Sequence, residues 1–252
     1  MSIDFSSAIL IFTAGIIVGF INTLSGGGSV ITLPLLMFIG LDISVANGTN
    51  RIGILLQTIT GILTFRKQKI LDLKRGLLLS VPVILGALTG TSIAVEVPSY
   101  LLEKIIGIIF IILIVIIITQ PKKWNKTIMY GEENIKIKKY HYFILFLIGI
   151  YGGFIQAGVG IFMLFVLVSL IGYDIIKANA LKLFLTFIFT PFAIIIFWQN
   201  EQIDWGIGFI LGAGSIIGAF VAAKSAIKIG EKKIKWLVIA MVLFSALYFI
   251  LR

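Results

Sequence analysis

Gly19-Phe20-Ile21-Asn22-Thr23-Leu24-Ser25-Gly26 returns as Gly153-Phe154-Ile155-Gln156-Ala157-Gly158-Val159-Gly160, a spacing of 134 residues. The spacing then settles at 132. Gly40-Leu41-Asp42-Ile43 matches Gly172-Tyr173-Asp174-Ile175, and Ala46-Asn47 matches Ala178-Asn179. Asp72, Gly76 and Gly86 match Asp204, Gly208 and Gly218. One such match would be noise in so apolar a chain. A steady register through polar and glycine positions marks a duplication, and a duplicated unit governs the fold.

Each half divides into five apolar segments. The first half has them at roughly 6–24, 29–40, 44–65, 76–95 and 99–119, the second at roughly 142–158, 160–171, 175–198, 206–223 and 234–251. Hydrophobic residues make up 59% of the 252 positions and charged residues 13%. A soluble domain of this length could not hide that much apolar surface in one core. Stretches such as 101–119, 181–198 and 234–251 approach the roughly 20 residues that cross a bilayer. The second segment of each half would reach only about 18 Å as a helix. That falls short of a hydrocarbon core of about 30 Å. The first two segments of each half therefore read as short or broken helices meeting at a glycine-rich bend. The predicted fold is an all-α polytopic membrane protein of two repeats, 1–119 and 142–252, joined by a cytoplasmic linker at 120–141, with eight to ten segments in total.

The net charge of +10 sits in short runs between apolar segments, which points away from nucleic acid and toward cytoplasmic loops. Arg66, Lys67, Lys69, Lys74 and Arg75 follow the third segment. Lys122, Lys123, Lys126, Lys136, Lys138 and Lys139 fill the linker, and Lys224, Lys228, Lys232, Lys233 and Lys235 follow the fourth segment of the second half. The links at 95–99 and 199–204 carry no cation. Equivalent loops thus fall on opposite sides, as an odd number of segments per half requires. The repeats are predicted to have inverted topology, with both termini outside. Secondary transporters built this way bind cargo at the repeat interface near the midplane. The chain has no cysteine and one histidine, His141, so thiolate and histidine-rich metal sites are excluded and no cofactor is expected. The N-terminus lacks a cationic leader region, so the first segment is expected to remain as a span.

Three clusters carry candidate chemistry. The first is Ser25-Gly26-Gly27-Gly28-Ser29, where consecutive glycines weaken a helix. Ser29 is the expected N-cap of the short segment that follows. Backbone N–H groups freed at such a bend, with a helix N-terminus behind them, suit an anion. Gln156, Gly158 and Gly160 form the equivalent bend. The second cluster opens the third segments: Asn47, Thr49, Asn50 and Arg51 in one half, Asn179 and Lys182 in the other. Intramembrane cations are costly and face a cavity or a partner. No acidic residue lies deep in any segment to pair with them, so an anionic ligand would satisfy them. Asn22 and Gln57 complete the candidate set. The glycine pairs Gly15/Gly19, Gly86/Gly90, Gly149/Gly153, Gly208/Gly212 and Gly214/Gly218 are read as close-packing sites. Asp42 and Asp174 are read as helix caps, and His141 as an interfacial anchor beside Tyr140 and Tyr142. An intramembrane enzyme would need an activated nucleophile with a base, which one interfacial histidine does not supply. An anion channel would use the same helix ends and cations and stands as the alternative to a transporter.

The run from Gly15-x3-Gly19 through Ser25-Gly26-Gly27-Gly28-Ser29 and Pro34 to Ala46-Asn47-Gly48-Thr49-Asn50-Arg51 resembles the TauE/SafE sulfite-exporter family. The stretch from Gly149-x3-Gly153 to Gly160 is similar to that family's repeated motif. The resemblance implies a multi-pass cell-membrane permease that exports sulfite, sulfoacetate or a related organosulfur anion. The second half lacks the triple glycine and the Asn-Gly-Thr-Asn string, so the two halves are not expected to share the site equally.

Overall fold

The computed structural model describes residues 4–68, 70–119 and 137–225. All regular structure among them is helical. The first half holds α1 (Phe5–Ser25), α2 (Ser29–Phe38), α3 (Ile43–Lys67), α4 (Leu73–Glu96) and α5 (Ser99–Thr119). The second holds α6 (Lys139–Phe154), α7 (Val159–Phe165) with a π-helical turn (Val166–Ile171), α8 (Ile175–Gln199) and α9 (Trp205–Ser225). The segment predicted at 234–251 and most of the linker lie outside the described residues. The second repeat opens at Lys139 rather than 142, because the first turn of α6 closes around His141. Its Nδ1 accepts the Lys138 N–H at 3.0 Å, and the ring is buried inward instead of anchoring at the surface.

Aspartates set the helix starts. Asp42 and Asp174 accept the backbone N–H groups of Ser44 (2.8 Å) and of Ile176 and Lys177 (3.0 Å each). Asp72 and Asp204 do the same for Arg75 (3.0 Å) and Ile207 (2.9 Å). Each pair is 132 residues apart, so the same cap chemistry begins α3 and α8, and α4 and α9, at equivalent points.

The halves interlock. α1 lies along α9 and α6 along α4; α3 packs on α9 as α8 packs on α4; and α3 crosses α8. Exchanging the halves maps each contact onto another, which is a pseudo-two-fold arrangement. The glycine pairs make the close approaches. Gly86 and Gly90 lie against the carbonyls of Phe146 and Ile150, and Gly214 and Gly218 against those of Phe12 and Ile16. In packing, Gly86 therefore corresponds to Gly214 and Gly90 to Gly218. The sequence alignment that paired Gly86 with Gly218 is displaced by one turn. A four-residue step returns to the same helix face, so the helix starts hold one register and the packed faces another.

Four helices, α1, α4, α8 and α9, are long and apolar enough to cross a bilayer. α3 matches α8 at 25 residues but carries Asn47, Asn50, Arg51 and Gln57, all buried. Outward faces are large and apolar, as with Leu77, Leu78, Val81 and Leu85 on α4, whereas its buried face holds Gly76, Ser80, Gly86, Ala87, Gly90 and Thr91. Lipid is as apolar as leucine, so close contact of small residues is what holds such helices together. Pro34, Pro82 and Pro191 sit inside α2, α4 and α8 without ending them.

The two ends of the bundle differ in charge. Phe65, Ile70, Leu71, Ile176, Ala180 and Ala223 pack together, which gathers Arg66, Lys67, Lys74, Arg75, Lys177 and Lys224 at one end. At the other, Ser99 Oγ donates to Asp42 (2.7 Å), Gln202 Nε2 to the Val95 carbonyl (3.1 Å), and the Asp204 N–H to Thr49 Oγ1 (2.9 Å). That end holds Asp42, Glu96, Glu201 and Asp204, with Trp198 and Trp205 stacked edge to face and partly exposed. The charge division matches the positive-inside pattern, and the paired indoles suit a headgroup belt.

Candidate functional site

The two glycine bends meet inside the bundle. α1 ends at Ser25, and Gly26 takes a left-handed backbone with φ +79°. Ser29 is the first residue of α2 and not its N-cap. Gly28 holds the cap position, and its N–H is taken by Asn22 Oδ1 at 2.6 Å. A side chain from the preceding helix has replaced the predicted serine cap. In the second half α6 stops about one turn earlier, at Phe154, and the chain turns through Gln156 (φ +63°) and Gly158 (φ +74°). Gly26 and Gly160 then face one another, backbone against backbone, with no room for a Cβ on either. They are 134 residues apart, so this crossing lies on the pseudo-two-fold axis.

A buried cation closes the end of each broken helix. Arg51, on α3, donates from Nη1 to the Gly152 carbonyl (3.2 Å) and Gln156 Oε1 (3.1 Å). Its Nη2 donates to the Gly153 carbonyl (2.6 Å) and Asn47 Oδ1 (3.5 Å), and the guanidinium stacks 4.6 Å from the Phe197 ring centroid. Lys182, on α8, donates from Nζ to the carbonyls of Asn22 (2.9 Å) and Thr23 (3.2 Å). Each cation thus sits at the negative end of a helix dipole belonging to the other half. Both side chains are wholly buried.

The holds are unequal. Asn47 Nδ2 donates to the Phe154 carbonyl (2.7 Å) and Thr91 Oγ1 to the Gly153 carbonyl (3.0 Å), so α6 is secured from α3 and α4 together. Asn179 matches Asn47 in the repeat, yet its Oδ1 is buried without a partner among the described residues. The end of α1 rests on Lys182.

Beside Lys182 lies a small cavity of ≈ 20 Å³, with space for one water-sized body or two. Seven of the candidate residues line it: Asn22, Gly26, Ser29, Gln57, Gln156, Gly160 and Lys182. Ile54, Thr58, Val159, Leu183 and Thr186 complete the wall. Thr186 stands four residues beyond Lys182, on the same face, and that spacing was a usable signal. The apolar Ile54, Val159 and Leu183 gave none.

The other candidates lie elsewhere. Arg51 reaches the cavity only through Gln156, whose Nε2 also donates to Thr190 Oγ1 at 3.1 Å. Asn47 holds α6. Thr49 accepts from the α8–α9 link at the acidic end. Asn50 Oδ1 accepts from Thr32 at 2.7 Å. Ser25 Oγ donates to the Ile21 carbonyl at 2.9 Å within its own helix. Gly27 and Gly28 shape the first bend, Gly158 caps α7, and Asn179 faces away from the cavity wall. Arg51, Asn47 and Phe197 form the layer on the acidic side of the cavity. Phe65, Ala180, Leu183 and Ala223 form the layer on the cationic side.

Among the described residues no group of acidic or histidine side chains could hold a metal ion. The sequence model of the sulfite exporter TauE/SafE family matches residues 11–249. A probable membrane transporter protein of Haemophilus influenzae is 27% identical over 246 residues, covering 96% of this chain and 93% of its own. The probable membrane transporter protein ORF9 of a Sinorhizobium species is 27% identical over 231 residues, covering 91% and 87%. The probable membrane transporter protein YfcA of Escherichia coli K12 is 26% identical over 234 residues, covering 91% and 84%. No solved structure matches the chain.

Proposed function

Since the chain belongs to the sulfite exporter TauE/SafE family and is a multi-pass membrane transport protein, not an enzyme, we propose that it carries a small anion, sulfite or a related organosulfur anion, by alternating access. The observation that supports this most is the cavity against Lys182. It lies between two half-helix bends that cross on a pseudo-two-fold axis, and its wall holds one formal charge, which is positive. Inverted repeats bind cargo at such a crossing.

In this reading the anion enters beside Lys182 and competes with the carbonyls of Asn22 and Thr23 for the ammonium. The present cavity is too small for an oxyanion of sulfur, so loading parts Leu183 and Val159 from the bend. Closure of one layer and opening of the other then passes the anion across. The inside-negative potential favours outward movement of an anion, by about 2.3 kcal/mol per charge at 100 mV, and export needs no second coupling ion on energetic grounds.

The experiment is a counterflow assay in proteoliposomes with sulfite, thiosulfate, sulfoacetate, sulfate and chloride. Saturable, trans-stimulated flux of a sulfur anion, lost in Lys182→Ala, is the expected result. Non-saturating conductance would replace the carrier by a channel. Absence of flux for every anion would remove the anion assignment.

A further inference from the structure

The hydrogen bonds already made by the cavity wall restrict what form of anion it accepts. Thr58 Oγ1 donates to the Leu55 carbonyl at 2.9 Å, and Thr186 Oγ1 donates to the Lys182 carbonyl at 2.8 Å. A hydroxyl has one proton and two lone pairs. With the proton committed to its own helix, each threonine can offer a ligand only an acceptor. Gln156 is committed at both ends of its amide, to Arg51 and to Thr190. Lys182 uses two of its three N–H donors on Asn22 and Thr23. Charge is equally limited. No carboxylate or second cation lines the cavity. Around Lys182, α1, α2 and α7 contribute no ionisable side chain, and the charges of α4 lie at its ends. Arg51 on α3 is turned to the end of α6.

One cation facing two hydroxyl acceptors is a poor match for a fully ionised oxyanion, whose oxygens would oppose the threonine lone pairs. It matches a singly charged oxyanion that still carries a proton. One oxygen accepts from the ammonium, and the acidic proton is given to a threonine. We infer that the carrier transports the monoanionic, proton-bearing form of its oxyanion, and that Thr58 and Thr186 are the residues that recognise the proton. This rests on the transport reading above and sharpens its substrate class. It also means that each anion leaves with one proton and that the loaded site is electrically neutral.

The test uses full-length protein in proteoliposomes and three probes: sulfite, which changes from monoanion to dianion near neutral pH; methanesulfonate, a monoanion with no acidic proton; and sulfate, a dianion throughout. Flux is measured on both sides of the second ionisation of sulfurous acid. Any titration of Lys182 acts on sulfite and methanesulfonate alike and cancels in their ratio. The sulfite-to-methanesulfonate ratio is expected to rise as pH falls, in step with the monoanion fraction, and sulfate is expected to compete weakly. In Thr58→Val with Thr186→Val the ratio at low pH should fall about tenfold, the equivalent of about 1.4 kcal/mol. Thr58→Ser with Thr186→Ser keeps the acceptors and should keep the ratio. A ratio that ignores pH, a ratio unchanged by the valines, or sulfate competing as well as methanesulfonate overturns the inference while leaving an anion carrier in place. Flux of none of the probes overturns both.

Discussion

Arg51 and Lys182 perform the same local task on opposite sides of the molecular centre, and the difference between their side chains separates structure from function. Arg51 gives its guanidinium to the Gly152 and Gly153 carbonyls, Gln156 and Asn47. Its planar fork suits several acceptors held in fixed geometry. Lys182 gives a compact ammonium to two carbonyls beside the cavity, and a lysine can swing to a new partner. Arg51→Met should chiefly damage the fold, since each buried carbonyl left without a donor costs about 1–3 kcal/mol. Its melting temperature in detergent should drop by several degrees, with substrate affinity of the surviving protein little changed. Lys182→Met should lose stability and also lose all response to sulfite in the same melting assay. A sulfite-dependent shift that survives in Lys182→Met but vanishes in Arg51→Met would move the binding site to the α6 end.

At the scale of helices, the glycines divide by what stands opposite them. A Cβ at Gly90 would meet the backbone carbonyl of Ile150, whereas one at Gly212 would meet the flexible end of Leu56. Gly90→Ala should therefore force α4 and α6 apart and lower thermal stability markedly, whereas Gly212→Ala should be nearly neutral; melting curves of the two variants decide it. Equal losses in both would mean that close packing is not what those glycines supply. The sequence made the glycine pairs visible, along with the aspartate caps and the short second segments, because each is a local requirement of backbone geometry. It could not show the one-turn displacement that pairs Gly86 with Gly214, since a four-residue slip preserves the face and hence the apolar pattern. Nor could it separate Arg51 from Lys182. Their spacing along α3 and α8 is nearly equal, and only the earlier end of α6 directs one away from the cavity. Ile54, Val159 and Leu183 were illegible for a simpler reason: an apolar residue in a membrane helix has no pattern to distinguish cavity from lipid.

For the whole molecule, the asymmetry between the halves is the basis of its proposed cycle. α1 runs one turn further than α6 and is held by one ammonium, while the end of α6 is held by Arg51, Asn47 and Thr91. Inverted repeats that differ in this way can exchange their conformations at little net energy, because each adopts what the other already has. Such an exchange closes one layer as it opens the other. The chain contains no cysteine, so single cysteines can report on it without background. Phe197→Cys marks the layer on the acidic side and Phe65→Cys the layer on the cationic side; both side chains are fully buried in the present state. Under a cargo gradient that is then reversed, a carrier should show the two positions reacting with a membrane-impermeant thiol reagent in opposition, one rising as the other falls. A pore would expose both together, and a rigid bundle neither, so the relation between two labelling rates separates alternating access from each of its competitors.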